Sequence, residues 1–474
     1  MRDHLSCFID GTWQNPDEPN VIDVINPATE TPFGRIALGG SSDVDRAVAA
    51  ARAAFEAWSA TTPDERADLL ESIIAAYEQR VDELAATITE EMGAPARLSK
   101  AAQATAGLAH LHTTLAAMRD FPFEERRGTT LIRHVPVGVC GLITPWNWST
   151  NQVMCKVAPA LAAGCTMVLK PSEFTPFSAI IQAEILEAAG VPAGVFNMVM
   201  GDGPTVGAAI SSHPGLDMVS FTGSTAAGAA VARAAADTIK RVSQELGGKS
   251  PNIVLPDADL AAAVTRGVRS VMTNSGQSCN APTRMLVPAD RHDEACELAA
   301  NAAARLVVGD PTDGATTTGP VANGRQWQRV QDLIRSGIDE GAALVCGGPG
   351  RPDGLDTGWY VRPTVFGGVD NAMRIAREEV FGPVLTILPY SSEDEAVSIA
   401  NDTDYGLAAY VQSDDPAHAA AVGLRLRAGQ VSLNGVGPDF GAPFGGFKRS
   451  GNGREWGREG MEEYLEAMAL IGME

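Results

Sequence analysis

The sequence predicts an α/β fold built on parallel sheets, and three observations support this class. The chain has 474 residues, of which 45% are hydrophobic and 20% charged, enough for large cores and roughly three domain-sized units. From residue 139 onwards, short apolar runs alternate with segments of helical periodicity. The apolar runs are continuous rather than alternating, as in strands that helices cover on both faces. Repeated βαβ units are therefore expected.

Residues before 139 are predicted to be mainly helical. After a β-like stretch at 8–13, a helix is expected over 43–58, with the serines at 41–42 as candidate N-caps. A second helix is predicted to start at the Thr-Pro-Asp-Glu segment 62–65. There the Thr can cap free amides, the Pro suits the first helical position and the Glu completes a capping box. This helix should run to about Glu91, because a Gly and a Pro follow it closely.

The alternation after residue 139 predicts a series of strands and helices up to residue 246. The strands are 139–144, 166–170, 196–200, 218–221 and 241–246, and the helices are 155–163, 176–189, 202–212 and 226–235. Two glycines at 247–248 end this pattern. A second α/β region follows over 251–445, with a helix at 258–272 and a strand at 384–388. The charged segment 124–134 favours a surface loop over a hairpin.

The charge balance argues against several classes of function. There are 36 basic and 58 acidic residues, a net charge of −22, which disfavours binding to nucleic acid or to an anionic membrane. No apolar run reaches the ~20 residues of a membrane-spanning helix, and residues 1–13 have no secretory h-region. The seven cysteines are scattered without a C-x-x-C pair, and His110 and His112 make a poor metal pair. We expect a cytoplasmic protein without a metal site.

A strand-to-helix turn at 221–228, with the sequence Phe-Thr-Gly-Ser-Thr-Ala-Ala-Gly, is the first candidate binding site. Free amides and the positive end of a helix dipole favour anions there, phosphates above all. The glycine spacing is G-x-x-x-x-G and no lysine follows, so neither the dinucleotide fingerprint nor the P-loop fits. From these residues alone, a plain β–α connection is the commoner interpretation.

Cys279 is the candidate nucleophile, and Glu245 is the candidate base. Cys279 lies within 274–282, among small polar residues beyond a predicted helix. Most lone cysteines are inert and buried, but polar neighbours in a loop are what an accessible nucleophile needs. Glu245 ends a predicted strand, at the edge where α/β sheets collect ligands. A glutamate in such a place is usually only solvated, and it can act as a base if a nucleophile or water lies within reach.

In this order, the motifs resemble those of the NAD(P)-dependent aldehyde dehydrogenase superfamily over essentially the whole chain. The matching segments are Thr144-Pro145-Trp146-Asn147, Lys170-Pro171-Ser172-Glu173, Phe221 to Thr225, Glu245 to Pro251, Gly276 to Cys279, Glu378 to Pro383 and Pro443 to Gly451. The resemblance implies the hydrolytic, non-acylating type. Such an enzyme oxidises an aldehyde to a carboxylic acid with NAD, and NADP is the alternative cofactor.

The resemblance also implies catalytic roles. Cys279 would attack the aldehyde carbon, giving a thiohemiacetal and then a thioester. Asn147 and the Cys279 N–H would hold the oxyanion, and one such donor is typically worth ~3 kcal/mol of barrier. Glu245 would activate the water that hydrolyses the thioester.

A second set of residues is implied to contact the cofactor. Lys170 and Glu173 would lie at the adenosine ribose, Ser224 at the pyrophosphate and Glu379 at the nicotinamide ribose. The complete set of cofactor residues is Thr144, Trp146, Lys170, Glu173, Gly223, Ser224, Glu379 and Phe381. Hydride transfer from a held alkoxide needs no metal.

By the same resemblance, three parts of the fold are expected. A Rossmann-like NAD-binding domain would comprise residues 1–119 and 138–246, and an α/β catalytic domain residues 247–445. Residues 120–137 and 446–474 would form a small β bridging arm, which replaces the loop favoured above. Family members assemble through this arm, so a homodimer or homotetramer is expected.

The substrate is expected to be a small or medium aldehyde with a polar or aromatic group. The family often has an aromatic residue, Pro and apolar residues after its P-W-N segment, whereas Trp-Ser-Thr-Asn-Gln stands at 148–152 here. Ser278 and Asn280 also flank the nucleophile. These side chains predict a more polar channel than long-chain aldehydes favour, and the alternative is that some of them point elsewhere.

Two other functions remain open. A CoA-acylating semialdehyde dehydrogenase would release the acyl group to a thiol, but such relatives tend to lack the glutamate base that Glu245 would supply. A non-catalytic binding or structural protein on the same fold would have no need of Cys279, Glu245 and Asn147 together.

Overall fold

Two large and mainly parallel sheets organise the chain in the computed structural model, which describes residues 2–473. The strands are β1 (Arg2–His4), β2 (Cys7–Ile9), β3 (Thr12–Gln14), β4 (Asn20–Asn26), β5 (Thr31–Leu38), β6 (Glu124–Arg127), β7 (Thr130–Pro136), β8 (Val139–Ile143), β9 (Thr166–Lys170), β10 (Phe196–Met198), β11 (Met218–Thr222), β12 (Arg241–Glu245), β13 (Pro251–Val254), β14 (Arg284–Pro288), β15 (Ala343–Cys346), β16 (Thr364–Gly367), β17 (Val384–Tyr390), β18 (Ala408–Gln412), β19 (Gln430–Leu433), β20 (Gly451–Asn452) and β21 (Leu465–Ile471).

The α-helices alternate with these strands. They are α1 (Ser41–Ser59), α2 (Pro63–Glu78), α3 (Val81–Met92), α4 (Ala96–Leu98), α5 (Ala104–Arg119), α6 (Ser149–Ala163), α7 (Pro176–Ala188), α8 (Ala208–Ser212), α9 (Thr225–Ala235), α10 (Leu260–Met272), α11 (His292–Ala303), α12 (Gly324–Asp339), α13 (Arg374–Arg377), α14 (Glu393–Asn401), α15 (Pro416–Gly423) and α16 (Gly457–Glu462). None of these helices is long and apolar enough to cross a lipid bilayer.

The first large sheet has the strand order β20-β12-β11-β8-β9-β10-β2-β3. Its five central strands run parallel, and antiparallel strands close both edges. Every residue of β8, β9 and β11 is buried, which explains their continuous apolar runs. The predicted Rossmann-like parallel sheet is confirmed.

The second large sheet has the order β15-β16-β17-β14-β13-β18-β19, in which only β15 is antiparallel to its neighbour. Separate hydrophobic clusters pack on its two faces, one built largely from α10 and α11 and the other from α12, α14 and α15. A small sheet of β1, β5 and β4 lies near the N-terminus. The chain is thus α/β throughout, as the sequence predicts.

Residues 124–134 form a hairpin, so the surface loop that the local residues favour is wrong. β6 and β7 pair antiparallel, and β21 adds a third strand with Leu465 opposite Pro136 and Ile471 opposite Thr130. This pairing joins segments more than three hundred residues apart, a long-range contact that local composition does not encode. The sheet of β6, β7 and β21 is the small β arm that the family resemblance implies. The domain boundaries expected from the same resemblance remain a prediction.

Two helix boundaries differ from the predictions. The capping box at Thr62 is present, with its N–H donating to Glu65 Oε2 at 2.7 Å. However, the single helix predicted up to Glu91 is divided into α2 and α3. Arg80 leaves helical geometry there and donates to Glu184 Oε2 of α7 at 2.8 Å. The acidic residues of the next turn favour the start of a new helix.

The starts of α1 and α6 also differ from expectation. The N-cap of α1 is Gly40 rather than a serine at 41–42, and its N–H donates to Asp43 Oδ2 at 2.8 Å. Helix α6 begins at Ser149, six residues before the predicted start, directly after Trp148 in a left-handed conformation with φ 53°. This early start decides where the polar side chains at 149–152 point.

Candidate active site

The site begins at one edge of the first large sheet. Strands β8, β11 and β12 run parallel there, with Thr222 opposite Glu245 at their carboxyl ends. The segment 144–147 follows β8 directly. Because the carboxyl ends of parallel strands meet at the same edge, this arrangement brings three sequence motifs together.

A rigid turn holds Cys279. Beyond α10, Asn274 Nδ2 donates to the carbonyl oxygen of Gln277 at 3.1 Å, and Gln277 Nε2 donates back to the Asn274 carbonyl at 3.0 Å. Gly276 has φ 74°, and a Cβ there would lie 1.9 Å from the carbonyl oxygen of Gly382. Only glycine fits this approach to the second sheet. The turn thereby fixes the position of the half-buried Cys279 side chain.

Asn147 is anchored to the same turn. Its Nδ2 donates to the carbonyl oxygen of Gln277 at 3.2 Å, and its side chain is buried. The next residue, Trp148, donates from Nε1 to Ser278 Oγ at 2.8 Å. An amide nitrogen carries two hydrogens, so one N–H of Asn147 remains for a ligand.

The thiol of Cys279 lies in an environment that disfavours its charged form. Burial raises the pKa of Cys279, and the negative charges of Glu379, Glu245 and Glu455 raise it further. The thiol is therefore protonated near neutral pH in the protein described here.

Glu245 is buried at the end of β12, and neither of its carboxylate oxygens has a hydrogen-bond partner among residues 2–473. Burial raises the pKa of Glu245, and the charge of Glu455 adds to this shift. Gly445 provides the space beside it, because a Cβ at that position would lie 2.6 Å from Glu245 Oε1. A buried carboxylate without partners is poised to accept a proton.

Sequence reasoning missed a buried ion pair next to this carboxylate. The ammonium of Lys156 in α6 contacts Glu455, and it donates to Ser220 Oγ at 3.0 Å. The thiol of Cys155 lies 3.3 Å from Glu455 Oε2. Nothing in the local sequence marks Lys156 or Glu455, since 299 positions separate them.

A cleft of about 630 Å³ opens between the two large sheets at this edge. The residues that line it include Trp146, Asn147, Gly223, Ser224, Cys279, Glu379 and Phe381, together with Gln326, Arg329, Arg377, Tyr405 and Arg449, which sequence reasoning did not identify. Arg449 lies within the matching segment Pro443 to Gly451, whereas Arg329 and Arg377 lie outside the matching segments.

The residues of this cleft fit a dinucleotide. The N-terminus of α9 opens into it and is capped by Ser224, whose Oγ accepts the N–H of Ala227; helix N-termini favour phosphate. A Cβ on Gly247 would lie 2.1 Å from Glu379 Oε2, so the glycine lets this carboxylate approach the backbone. The rings of Trp146 and Phe381 meet edge to face at 5.3 Å and form an apolar wall.

Three predicted cofactor residues do not line this cleft. Thr144 is buried at the end of β8, and its N–H donates to the Lys170 carbonyl at 3.1 Å. Lys170 Nζ donates to the carbonyl oxygens of Pro171 and Gly201 at 2.7 and 2.8 Å and lies 3.4 Å from Glu173 Oε2. Lys170 and Glu173 thus stand together at the end of the neighbouring strand β9.

A second cavity, called the channel below, has a volume of about 480 Å³ and is also lined by Cys279. One wall carries small residues, namely Ala101, Ala102, Ala106 and Ala109 of α5 and the turn before it. The channel is also lined by the aromatic residues Trp148, Phe440, Phe444 and Trp456, by the polar residues Asn151, Gln152, Ser278 and Asn280, and by Glu245 and Cys279.

The predicted polar channel is only partly correct. Ser149 Oγ is hydrogen-bonded to Ser178 at 2.8 Å, and the hydroxyl of Thr150 donates to the Gln103 carbonyl. Both residues are buried and point away from the channel, because α6 starts early and turns them towards α7 and α5. Asn151 and Gln152 remain on the channel side. Among the residues that the structure describes, no cluster of ligands could hold a metal ion.

Comparison with known proteins assigns a family to this arrangement. The model of the aldehyde dehydrogenase family matches residues 13–470. A 3-succinoylsemialdehyde-pyridine dehydrogenase from a Pseudomonas species is 57% identical and covers 100% of both chains. A putative aldehyde dehydrogenase from Staphylococcus saprophyticus is 46% identical over 100% of this chain and 99% of its own.

Solved structures agree with this assignment. A cysteine-to-alanine mutant of aldehyde dehydrogenase C from Pseudomonas syringae, in complex with NAD+ and octanal, has a TM-score of 0.99 at 54% identity and covers 99% of this chain and 97% of its own. A Mycobacterium tuberculosis aldehyde dehydrogenase in complex with NAD+ has a TM-score of 0.97 at 41% identity, with 99% and 98% coverage.

Proposed function

The chain belongs to the aldehyde dehydrogenase family and is an NAD-dependent aldehyde dehydrogenase, and from that premise we propose that Cys279, Asn147 and Glu245 catalyse the oxidation of an aldehyde by NAD and the hydrolysis of the acyl-enzyme to a carboxylic acid. The observation that carries this proposal is that Cys279 lines both cavities. Cys279 and the partnerless carboxylate of Glu245 line one channel, and Cys279 also lines the cofactor cleft.

The first step joins the sulfur of Cys279 to the aldehyde carbon, and the thiol proton is released to solvent as the proton of the overall reaction. The carbonyl electrons move onto oxygen, and the free N–H of Asn147 and the N–H of Cys279 stabilise that oxyanion. Bound NAD supplies the hydride acceptor, which takes a hydrogen with two electrons from the same carbon. The carbonyl reforms as a thioester on Cys279.

Hydrolysis completes the reaction. Glu245 accepts a proton from a water molecule, whose oxygen attacks the thioester carbon, and the carbon–sulfur bond breaks. The proton held by Glu245 then passes to the leaving sulfur and restores the thiol of Cys279. An aldehyde, NAD+ and water thus become a carboxylic acid, NADH and a proton. The raised pKa of Glu245 makes it a stronger base than an exposed glutamate.

The residues that line the cleft would hold the nicotinamide half of NAD. Trp146, Phe381 and Glu379 would surround the nicotinamide ribose, and Gly223 and Ser224 at α9 would face the pyrophosphate. Lys170 and Glu173 would hold the adenosine ribose at the end of β9. Thr144 would support this wall from behind, through its backbone contact with Lys170.

The proposed substrate is a small or medium aldehyde with a polar or aromatic group. Alanines and aromatic residues line the channel, which favours an apolar or aromatic part of the substrate, and the amides of Asn151 and Gln152 line the same channel. One relative is named for a pyridine semialdehyde and another was crystallised with octanal.

A screen of aldehydes at fixed NAD concentration tests the activity and the substrate class. NADH formation with aliphatic, aromatic and semialdehyde substrates should rank polar or aromatic compounds above alkanals of equal length. A steady rise in kcat/KM from propanal to decanal, above every polar analogue, would refute the substrate class. Faster acyl release when CoA is added would instead favour the acylating alternative.

A homo-oligomer is also part of this proposal. In the described chain, β21 pairs with β7 on one side only, and it carries the exposed residues Met468 and Ile471. Unpaired strand edges with apolar side chains readily recruit another chain. Light scattering on the purified protein should give the mass of a dimer or tetramer, and a monomer would refute this part of the proposal.

A further inference from the structure

A buried histidine behind the channel wall has no role in the reaction described so far. His110 of α5 is 1% exposed and does not line the channel. Its Nε2 lies 2.7 Å from Oδ1 of Asn151 in α6, a strong hydrogen bond between two helices. Asn151 does line the channel.

Aromatic packing fixes the imidazole ring. Phe440 meets it edge-on at 5.0 Å with an interplanar angle of 90°, and Trp456 lies 5.4 Å away. Both aromatic residues belong to the channel wall. The ring therefore has little freedom to rotate, and its hydrogen bond also restricts rotation of the Asn151 side-chain amide.

The amide oxygen of Asn151 sets the direction of this hydrogen bond, because a carbonyl oxygen can only accept. Burial lowers the pKa of His110 to about 4, so the ring is neutral at physiological pH. With Nε2 carrying the proton, His110 donates to Asn151 Oδ1. The remaining polar atom, Asn151 Nδ2, has no hydrogen-bond partner among residues 2–473.

We propose that His110 and Asn151 form a fixed hydrogen-bond donor in the channel wall, which selects aldehydes with a carbonyl oxygen along their chain over plain alkanals. This inference rests on the proposed function. Asn151 is the specificity-determining residue, because its N–H would contact the substrate, and His110 is a positioning residue. An apolar substrate covers this N–H without offering it an acceptor, which disfavours binding. A ketone of the same length satisfies it.

The test compares nonanal with the positional isomers of oxononanal and of hydroxynonanal, which carry one ketone or one hydroxyl group at successive positions beyond the aldehyde. In the wild-type enzyme, at least one keto isomer should exceed nonanal in kcat/KM by about tenfold, mainly through a lower KM. Asn151→Leu keeps the size of the side chain without its donor and should bring this ratio to about one. Asn151→Asp offers only acceptors and should bring the ratio below one.

His110 variants separate positioning from general structure. His110→Phe keeps a flat ring without the hydrogen bond, so the ratio of kcat/KM for the keto isomer to that for nonanal should fall about threefold. His110→Gln supplies another donor and should restore part of the preference. Thr105→Val is the matched control, because Thr105 also lines the channel but its hydroxyl already donates to the carbonyl oxygens of its own helix at 3.2 Å.

Each outcome has a definite meaning. Retention of the keto preference in Asn151→Leu would overturn the inference, as would equal loss in Thr105→Val. A preference for hydroxyl over keto isomers would mean that the amide presents its oxygen, which also overturns it. If nonanal and the keto isomers are oxidised equally, only this inference fails; if no aldehyde is oxidised, the proposed function fails.

Discussion

The backbone N–H of Gly248 donates a hydrogen bond of 3.1 Å to Oε1 of Glu379, and this contact joins the end of the first large sheet to the loop before β17 in the second. Both residues lie beside the cofactor cleft. The carboxylate is therefore held in place before any ligand arrives, and its second oxygen is the one that lies against Gly247.

Because the carboxyl group of Glu379 lines the cofactor cleft, NAD binding should depend on pH. Burial raises the pKa of Glu379 to about 7, although the Gly248 N–H and Lys249 oppose the shift. Below pH 7 the carboxyl is mostly protonated and becomes a poorer acceptor for ribose hydroxyls. The KM for NAD should rise several-fold between pH 8 and pH 6. Glu379→Gln should have a high KM that is flat over this range, and an equally steep dependence in that variant would contradict the assignment.

Cys279→Ser should abolish dehydrogenase turnover and leave NAD binding intact. A serine hydroxyl is scarcely ionised near neutral pH, so it cannot replace the thiol as nucleophile. Steady-state NADH formation and fluorescence titration with NAD measure the two effects separately. Wild-type-like turnover in this variant would refute the mechanism.

The reactivity of the Cys279 thiol should itself report its neighbours. Because burial and three carboxylates raise the pKa of Cys279, inactivation of the NAD-free enzyme by iodoacetamide should accelerate with pH beyond the ordinary thiol range. Glu245→Gln removes one of these negative charges and should move the profile to lower pH. Glu56→Gln, an exposed change on α1, is the control and should not move it. A profile that is the same in Glu245→Gln would show that Glu245 does not act on the thiol.

Glu245→Gln should slow hydrolysis of the thioester more than hydride transfer. Loss of a general base typically costs about 10²–10⁴-fold, so NADH should appear in a burst that outruns the steady state. Rapid mixing followed by absorbance at the NADH band measures both phases. If burst and steady rate fall equally, Glu245 has another role.

NAD should be preferred over NADP because of Glu173. Its carboxylate can accept a hydrogen bond from the 2′-hydroxyl of the adenosine ribose but repels a 2′-phosphate. Lys170 cannot fully compensate, since the carbonyl oxygens of Pro171 and Gly201 already hold its ammonium. The ratio of kcat/KM values should favour NAD by about tenfold or more. Glu173→Gln should narrow this ratio, and equal use of both cofactors by the wild type would refute the role of Glu173.

The sequence predicted those parts of the site that are contained in single local segments. The strand-end position of Glu245, the turn at Gly223 and the loop of Cys279 each follow from the residues beside them. Lys156 and Glu455, or His110 and Asn151, meet only because helices and loops far apart in the chain pack together. Contrary to the expectation from the sequence, Ser149 and Thr150 do not line the channel, because the direction of their side chains depends on where α6 begins.

The last prediction concerns the alanine wall of the channel. Ala109 of α5 lines the channel together with aromatic side chains, so its small size leaves room for the chain of a substrate. Ala109→Phe should reduce kcat/KM for octanal and 3-phenylpropanal by about tenfold or more, because the added ring takes the space of their chains. Propanal is short enough to reach Cys279 past the new ring, and its kcat/KM should change by less than about twofold.

A matched variant checks that any loss arises in the channel. Ala53→Phe adds the same ring to an exposed position on α1 and should leave all three substrates unaffected. An equal loss for propanal, octanal and 3-phenylpropanal in Ala109→Phe would indicate a distorted site rather than a narrowed channel. Unchanged kinetics for the two longer substrates would mean that aldehydes reach Cys279 by another route. A selective loss of the longer substrates would identify the face of α5 as the element that holds the substrate chain. The catalytic residues act on the aldehyde group, which is the same in all three substrates, so a change at those residues would affect all three alike.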